Sequence, residues 1–345
     1  MRRPFSTAVA VFGVLLATAC STGSTDDKAD SGSSSAGAPA EEGAFPVTVE
    51  HRFGEVEIES EPQRVVTLGS ADQDNVLALG VVPVGVPKVT WGPNENASTD
   101  WFDAALDELD AVAPAQLDTS DGIPVDEVAE LTPDLILASN SALTQKEYDS
   151  LSKIAPVVAP PGDDWLTSWD DSLAQAGLAL GRPAKAAEVE ETTEALIDDV
   201  ATQNPSIAQT SFIFTYFDPS DLGTVGVYAE DDPRVAILDD LGLEVPALVD
   251  RVVPEGAFYG SVSAERANTL ASDLVLTYVE SDEQLEQVTG NALLGRIPAV
   301  EANKVVALPA DGVGVAVTSP TPLSIPVIVD ELVPQILEVS QRSGN

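Results

Sequence analysis

The residue types that most often carry chemistry are rare in this chain, and their scarcity removes several kinds of active site. The 345 residues include one His, His51, and one Cys, Cys20. One His cannot build a multi-histidine metal site, and a Ser-His-Asp hydrolase would have to depend on His51 alone. One Cys cannot form an intrachain disulfide, a Cys-based zinc site or an iron–sulfur cluster.

Short motifs typical of enzymes are incomplete. Ser150-Leu151-Ser152-Lys153 has the Ser-x-x-Lys spacing of a β-lactamase nucleophile, but the Ser-Asp-Asn and Lys-Thr-Gly motifs that complete such a site do not occur. The stretch from Gly312 to Val317 lacks the third glycine of a dinucleotide-binding loop. These motifs therefore favour a protein that does not transform its ligand.

The charge balance excludes another class of partner. The chain has 16 Lys and Arg against 57 Asp and Glu, which gives a formal net charge of −41. A surface this acidic repels phosphate, so we expect no nucleic-acid partner. The hydrophobic content, 44%, is ordinary for a folded protein, and the length predicts two compact lobes.

The N-terminus has the features of an export signal. Arg2 and Arg3 precede an apolar run from Ala8 to Ala19. This run is too short to span a bilayer, because a spanning helix takes about 20 residues. Residues 1–19 are therefore predicted to be a signal peptide.

A lipid anchor and a tether are predicted to follow. Leu16 to Cys20 resembles the bacterial lipobox, with Ala17 where Leu is preferred, so we expect a lipid on Cys20. Residues 20–44, which are rich in small and polar residues, are predicted to be the lipidated Cys and a flexible tether. The protein is expected to be exported and anchored to the outer face of the cell membrane.

Strand and helix signals alternate after Phe45, which is typical of an α/β protein with mostly parallel sheets. Alternating residues around Phe53-Gly54 predict a β-hairpin between Val47 and Ile58. Further strands are predicted at Arg64–Leu68, Pro83–Val86, Asp134–Ala138, Ala155–Val158, Ser211–Phe217, Thr224–Tyr228, Asp273–Tyr278 and Lys304–Leu308. Helices are predicted at Gln73–Leu79, Val125–Leu131, Pro233–Leu241, Ala264–Leu270 and Ile325–Val339.

An internal repeat indicates that the two lobes are similar. Asp126–Leu137 aligns without a gap on Glu265–Leu276: an acid opens each segment, and Leu, Asp and a buried strand follow at the same spacing. Leu79–Pro83 aligns in the same way on Leu241–Pro246, with one insertion. Two echoes in the same order predict two related α/β lobes.

The predicted organisation has three folded parts. An N-terminal α/β lobe covers 45–164, a long connector helix covers 165–203, and a C-terminal α/β lobe covers 204–345. Gly181-Arg182-Pro183 is expected to break the connector, since Pro begins helices but disrupts their interior. Two open sheets that face each other enclose a cleft beyond the carboxyl ends of their strands, which is a preferred ligand site.

Several segments together resemble a known family. The chain looks like a substrate-binding lipoprotein of an ABC importer, of the class that carries iron–siderophores and cobalamin. The matching segments are His51–Gly54, Glu61–Leu68, Ala78–Gly85, Leu131–Ile136, Ser263–Arg266 and Ile297–Val300. The resemblance covers most of the chain after Phe45. It implies the class III periplasmic-binding-protein fold, with two Rossmann-like lobes joined by a rigid connector helix, and a monomer.

The resemblance also implies a docking role for acids. In this family one acid on each lobe binds Arg-lined pockets on the two permease subunits, and the internal repeat singles out Asp126 and Glu265. Family members usually have Glu at the first position, so Glu127 is an alternative to Asp126. Both acids could instead stabilise the first turn of a helix.

A ferric siderophore is the cargo that the resemblance implies. A siderophore supplies the oxygen ligands of its iron, so no resident cofactor or protein-bound metal is expected, and the protein needs aromatic walls and a few hydrogen-bond donors. The candidates follow predicted strands or lie near their ends. They are Lys88, Trp91, Asn140 and Trp165 in the first lobe and Tyr216, Tyr228, Arg234, Arg251 and Tyr259 in the second.

Other functions stay open at this point. Cobalamin or haem could be the cargo, although the place of His51 in the hairpin favours a structural role. A secreted hydrolase that uses two carboxylates and a structural surface lipoprotein are alternatives from other classes. A single undivided sheet, or a lobe junction without a cavity, would contradict the binding-protein interpretation.

Overall fold

A computed structural model describes residues 39–342 of the chain. The predicted signal peptide, Cys20 and most of the predicted tether lie outside the described residues. Within 39–342, no helix combines the length and the apolar composition needed to cross a membrane.

The first lobe contains a hairpin and a parallel sheet. Its strands are β1 (Val47–His51), β2 (Gly54–Ile58), β3 (Val65–Thr67), β4 (Gly85–Pro87), β5 (Ala115–Leu117), β6 (Leu135–Leu137) and β7 (Val157–Val158). β1 and β2 form the predicted hairpin, and the other five form a parallel sheet in the order β5-β4-β3-β6-β7. Its helices are α1 (Asp72–Ala78), α2 (Asp100–Glu108), α3 (Val125–Glu130) and α4 (Gln145–Leu151).

Two helices, α5 (Trp169–Ala179) and α6 (Pro183–Gln203), connect the lobes. α5 begins four residues later than the apolar spacing from Trp165 predicts, because Ser168 caps it by accepting a hydrogen bond from the Asp171 N–H. Trp165 precedes the helix in a left-handed backbone conformation, with φ of 64°.

The expected break between the two connector helices has a local cause. Gly181 adopts a φ of 66° and lies against the Phe45 ring, where an added Cβ would be 2.4 Å from a ring carbon. The buried guanidinium of Arg182 donates a hydrogen bond to the Leu79 carbonyl oxygen at 2.7 Å. Pro183 then starts α6 without needing a backbone N–H.

The second lobe contains a mixed sheet. Its strands are β8 (Phe212–Asp218), β9 (Asp221–Tyr228), β10 (Tyr259–Ser263), β11 (Leu274–Val279) and β12 (Val305–Pro309), in the order β10-β9-β8-β11-β12. Its helices are α7 (Pro233–Asp240), α8 (Val249–Val252), α9 (Asp282–Thr289), α10 (Pro298–Glu301), α11 (Val313–Thr318), α12 (Ile325–Val327) and α13 (Val333–Ser340). Short 3-10 helices occupy Ile207–Gln209, Ala264–Thr269 and Leu294–Arg296.

The two five-stranded sheets have the same strand order: when the strands of each sheet are counted along the chain, the third, second, first, fourth and fifth lie side by side. The prediction of two related α/β lobes is therefore confirmed. The second sheet departs from the expected parallel arrangement because β9 runs against β8 and β10. A tight turn at Asp218–Asp221 joins β8 to β9, and a turn this short produces an antiparallel hairpin.

The end of the chain also departs from the prediction. The helix expected over Ile325–Val339 is divided into α12 and α13 by a π-helical turn at Ile328–Leu332. Pro334 lies in the first turn of α13 and cannot donate a backbone hydrogen bond to the preceding turn, which explains the local widening. The sequence patterns did not predict β5, β10, α2, α4, α8, α9, α10 or α11.

The first repeated segment, Asp126–Leu137 and its counterpart Glu265–Leu276, has a structural cause. Asp134 accepts hydrogen bonds from the backbone N–H groups of Gln63 and Arg64, just before β3, at 2.8 and 2.7 Å. Asp273, its counterpart, accepts bonds from the backbone N–H and the hydroxyl of Ser211, just before β8, at 2.9 and 2.7 Å. This Asp therefore joins the start of β3 to the start of β6 in the first lobe, and the start of β8 to the start of β11 in the second.

The second repeated segment, Leu79–Pro83 and its counterpart Leu241–Pro246, also has the same structure in both lobes. Gly80 and Gly242 follow α1 and α7 with φ values of 75° and 101°, a conformation that favours glycine. The next backbone N–H, of Val81 or Leu243, bonds back into the helix in both cases. The repeat in the sequence therefore encodes helix ends and strand starts.

We expect Asp134→Ala and Asp273→Ala each to lower the free energy of unfolding by about 1–2 kcal/mol, because each removes two hydrogen bonds to a carboxylate. Urea unfolding followed by circular dichroism measures the effect. Asp121→Ala, which removes another exposed Asp of the first lobe, is the control. Equal stability of all three variants would contradict the role given to the repeated Asp.

Candidate functional site

The lobe junction contains two adjoining cavities, of 290 and 360 Å³. The first is formed mainly by loops that follow β3, β4 and β7, with α11 of the second lobe closing it. The second is formed by β8, β9, the end of β11 and the loops after them. Trp91 and Thr318 line both cavities, which makes them two halves of one cleft between the lobes.

Trp91 separates the two halves. Its indole meets the Tyr278 ring edge to face, with centroids 5.1 Å apart and an interplanar angle of 82°. The next residue, Gly92, has a φ of 62°, and an added Cβ would lie 1.9 Å from the Ala310 carbonyl oxygen in the second lobe. The lack of a side chain at Gly92 therefore lets the loop that carries Trp91 reach across the junction.

Indole rings dominate the first half of the cleft. Trp91, Trp101 and Trp165, three of the four tryptophans in the chain, line it together with Lys88. The left-handed backbone of Trp165 is uncommon for a bulky residue, and such conformations cluster at ligand-binding sites.

Phenol rings and one guanidinium dominate the second half, which is lined by Tyr216, Tyr228, Tyr278 and Arg234. The Arg234 guanidinium lies 3.9 Å from the centroid of the Tyr228 ring. Its Nε donates a hydrogen bond to the fully buried carboxylate of Asp232 at 2.5 Å. Burial raises the pKa of Asp232 to about 6, although the charge of Arg234 opposes that rise.

A buried carboxylate connects the lobes beneath the first half of the cleft. Asp74 Oδ2 accepts hydrogen bonds from Trp101 Nε1 at 2.7 Å and from the hydroxyl of Thr321, in the second lobe, at 2.9 Å. Asp74 Oδ1 is buried without a hydrogen-bond partner among the described residues. Burial raises the pKa of Asp74 to about 6, because the charged form is poorly compensated.

Asp72 fixes the floor of the cleft at the point where the first sheet reverses its strand order. Its carboxylate accepts hydrogen bonds from the backbone N–H of Gly69, after β3, and from the N–H and hydroxyl of Ser139, after β6. A hydroxyl pair between Ser70 and Ser319, 2.5 Å apart, adds a contact between the lobes. The ligand-facing loops are therefore held by buried polar contacts.

The structure brings six of the nine candidate ligand-binding residues to the cleft: Lys88, Trp91, Trp165, Tyr216, Tyr228 and Arg234. Tyr259 does not line either half, but its ring lies 6.4 Å from that of Tyr228. Asn140 is buried behind the wall, where its backbone carbonyl oxygen accepts a hydrogen bond from the Ser70 N–H. Arg251 lies on the surface of α8, which packs beside the start of β10, so it reaches neither half of the cleft.

Sequence reasoning missed Asp74, Trp101, Tyr278 and Thr318 as wall residues. Tyr278 is near the end of β11 and could have been found by the strand-end rule that selected Tyr216. Trp101 lies in α2, a helix that was not predicted. Asp74 and Thr318 lie on helices whose orientation depends on tertiary packing.

The candidate docking acids are exposed and occupy equivalent places. Asp126 and Glu127 lie in the first turn of α3, which follows β5, and Glu265 lies in the first turn of the 3-10 helix that directly follows β10. β5 and β10 are the third strands of their five-stranded sheets in chain order, and β10 runs parallel to β8. The acids therefore lie beyond the carboxyl ends of matching strands.

His51 is a packing residue of the hairpin. It is largely buried, its Nδ1 accepts a hydrogen bond from the Phe53 N–H, and its ring packs against Phe53 and Tyr148. Burial lowers its pKa. It lines neither half of the cleft.

Two α/β lobes with one strand order, connected by helices and facing each other across an aromatic cleft, define a bilobed solute-binding protein. Residues 65–311 match the family model described as "Periplasmic binding protein". The chain belongs to the periplasmic binding protein family. Its members are substrate-binding proteins and not enzymes, so the expected absence of catalysis is confirmed and the hydrolase alternative is not supported.

Known relatives narrow the similarity. The chain is 29% identical over 205 residues to the "Probable siderophore-binding lipoprotein YfiY" of Bacillus subtilis (strain 168). The aligned residues cover 58% of this chain and 57% of that protein. The chain thus matches little more than half of that relative's length.

Solved structures cover more of the chain. PiaA of Streptococcus pneumoniae TIGR4, crystallised in complex with ferrichrome, is 32% identical with a TM-score of 0.81, over 86% of this chain and 99% of that chain. A periplasmic solute-binding protein of Mycobacterium smegmatis is 30% identical with a TM-score of 0.72, over 85% and 98%. The predicted resemblance to siderophore-binding lipoproteins is confirmed.

We expect the raised pKa of Asp74 to make the unfolding free energy depend on pH. At pH values between the ordinary pKa of an Asp and about 6, the folded state binds more protons than the unfolded state. The stability that the protonated Asp74 contributes is therefore lost as the pH rises through 6. Asp74→Asn keeps an oxygen acceptor for Trp101 and Thr321 but does not ionise. It should remove about 1 kcal/mol of the loss in unfolding free energy between pH 5.5 and 7.5.

Urea unfolding at the two pH values measures this difference. Asp107→Asn, at an exposed position on α2, is the matched control and should keep the pH dependence of the unsubstituted protein. An Asp74→Asn variant with that same dependence would show that Asp74 is ionised as freely in the folded state as in the unfolded state.

Proposed function

We propose that the chain captures a ferric siderophore in the cleft between its lobes and delivers it to an ABC importer. The observation that carries this proposal is the cleft itself: two adjoining cavities with indole walls on one side, phenol walls on the other, and one guanidinium with a fixed orientation. Flat aromatic walls suit a bulky organic chelate, and a few donors suffice to orient it.

The iron is cargo in this proposal. The siderophore surrounds Fe³⁺ with its own oxygen ligands, so the cleft has to recognise the outer surface of the chelate and needs no resident cofactor. The match to PiaA, whose structure contains ferrichrome, supports this assignment.

The rival interpretations fit less well. Haem would need an axial ligand from the cleft, and because His51 packs in the hairpin outside both halves, one of the cleft phenols would have to supply it. Cobalamin is the alternative cargo for the same fold. A structural lipoprotein without a ligand would leave the cavities of the lobe junction without a role.

Anchoring is part of the proposal. Cys20, in its lipobox-like setting, would carry the lipid and hold the protein as a monomer at the outer face of the membrane. Relatives named as lipoproteins support this placement. The exposed acids Asp126 or Glu127 and Glu265 would then bind Arg-lined pockets on the two halves of a permease dimer.

We expect ferric siderophores, ferrichrome among them, to quench the intrinsic fluorescence, because three of the four tryptophans line the cleft and these complexes absorb light. Arg234→Gln should weaken binding about 10- to 100-fold, since it removes a charged donor. Arg296→Gln, an exposed Arg of the same lobe, is the control. A panel of ferric siderophores that causes no quenching would refute the proposed cargo.

The docking role has a separate test. Asp126→Ala with Glu265→Ala, or Glu127→Ala with Glu265→Ala, should leave chelate affinity intact and lower uptake of ⁵⁵Fe-siderophore by cells at least about fivefold, because the oriented carboxylates are lost. Glu130→Ala with Glu265→Ala keeps both candidate acids of α3 and is the control, and the test pair that lowers uptake below this control shows which acid contributes. Full uptake in both test pairs would exclude docking through these acids.

A further inference from the structure

The charges that line the cleft are balanced. Among the residues that line its two halves, Lys88 and Arg234 are basic, and Asp74 and Glu280 are acidic. Each half therefore contains one positive and one negative side chain, and neither has a surplus of cations.

One of the two basic groups, Arg234, is also already compensated by a buried carboxylate. Arg234 donates through Nε and its backbone N–H to Asp232, a carboxylate with no exposed surface. Lys88 lies near Asp118, whose pKa is lowered by hydrogen bonds from Ser120 and, less strongly, by the charge of Lys88. An anionic ligand would therefore compete with the Asp232 carboxylate for Arg234.

The surroundings of the cleft are acidic. A third cavity, of 440 Å³, is lined by residues that neighbour Trp165 and Asp232 along the chain. Its acids are Asp163, Glu230, Asp231, Asp239 and Asp240. Together with the net charge of −41, this places the cleft in a negative field.

Ferric siderophores differ in charge according to their donor groups. Three hydroxamates lose one proton each, so their complex with Fe³⁺ is neutral. Three catecholates lose two protons each, so their complex with Fe³⁺ is a trianion. Moving a trianion from water into a cleft without surplus cations leaves its charge uncompensated, whereas a neutral chelate incurs no such penalty.

We propose that the cleft is selective for ferric chelates without net negative charge, the trishydroxamate class, and excludes ferric tris-catecholates. This inference rests on the proposed function of siderophore capture. The Nη groups of Arg234, which are not used in its hydrogen bonds to Asp232, are the donors that face carbonyl or N–O oxygens of the chelate. Indole and phenol rings cover the apolar parts of the ligand.

Fluorescence titration with three probes of different charge tests the selectivity: neutral ferrichrome, cationic ferrioxamine B and trianionic ferric enterobactin, at pH 7.5 in low and in high salt. We expect the neutral and cationic chelates to bind at least about 100-fold more tightly than the trianion at low salt. Added salt should reduce this difference in affinity, because it screens the charges. Equal or tighter binding of the trianion overturns the inference while the proposed function stands. Failure of all three to bind overturns both.

A charge reversal tests whether the lining is responsible. Glu280→Lys should strengthen binding of the trianion at least about tenfold at low salt, because it gives the second half of the cleft a surplus of cations. Glu286→Lys makes the same change of charge on the exposed surface of α9, outside the cleft lining. A similar gain in both variants would show that overall charge, and not the cleft, determines selectivity, and would contradict the inference.

Discussion

The carboxylate of Asp74, which is buried at the lobe junction, accepts hydrogen bonds from both lobes. The geometry of the cleft depends on these bonds. Because this carboxylate is buried from solvent, protein groups have to supply its hydrogen bonds. The indole of Trp101 and the hydroxyl of Thr321 donate these bonds and are thereby held beside α1. The same contacts put an aromatic wall on one side of the first cavity and keep the second lobe beside it. A second buried oxygen of Asp74 without a partner among the described residues indicates that this arrangement is not optimised for stability alone.

The two lobes share a framework and differ in their walls. Both use an Asp to join two strand starts and a glycine to end a helix, which is why one repeat runs through the sequence. In the first lobe the strands are parallel, and indoles come from the loops and α2. In the second lobe the hairpin of β8 and β9 places Tyr216 opposite Gly226, with Tyr228 two residues further on, so phenols come from the sheet itself. One buried apolar cluster runs from Val65 through Trp169 and Ile197 to Phe212, so the two lobes have a common core across the connector helices.

The rule that ligand-binding residues follow the carboxyl ends of strands predicted much of the site. The residues for which the rule failed have a physical explanation. Loops at carboxyl strand ends meet at one edge of a parallel sheet, so Lys88, Trp91 and Tyr216 could be placed in the cleft without coordinates. Asn140 follows β6 in the same way but is buried behind the wall, because a strand end gives the edge of the sheet and not the direction of a side chain. Trp101 was missed because α2, which Thr99 caps, was not predicted from the sequence, and its place beside the cleft depends on tertiary contacts such as the bond from Trp101 to Asp74.

The amino-acid sequence by itself determined the class of fold, the duplication and the absence of familiar catalytic groups. Those properties follow from local patterns: apolar periodicity, glycine at helix ends and an Asp at a fixed distance from each strand. Only the tertiary structure decided which side chains share the cleft, that Trp91 divides it, and that its charges are balanced. Those properties join residues far apart in the chain, such as Asp74 with Thr321 and Trp91 with Tyr278, and such contacts depend on how the lobes pack together.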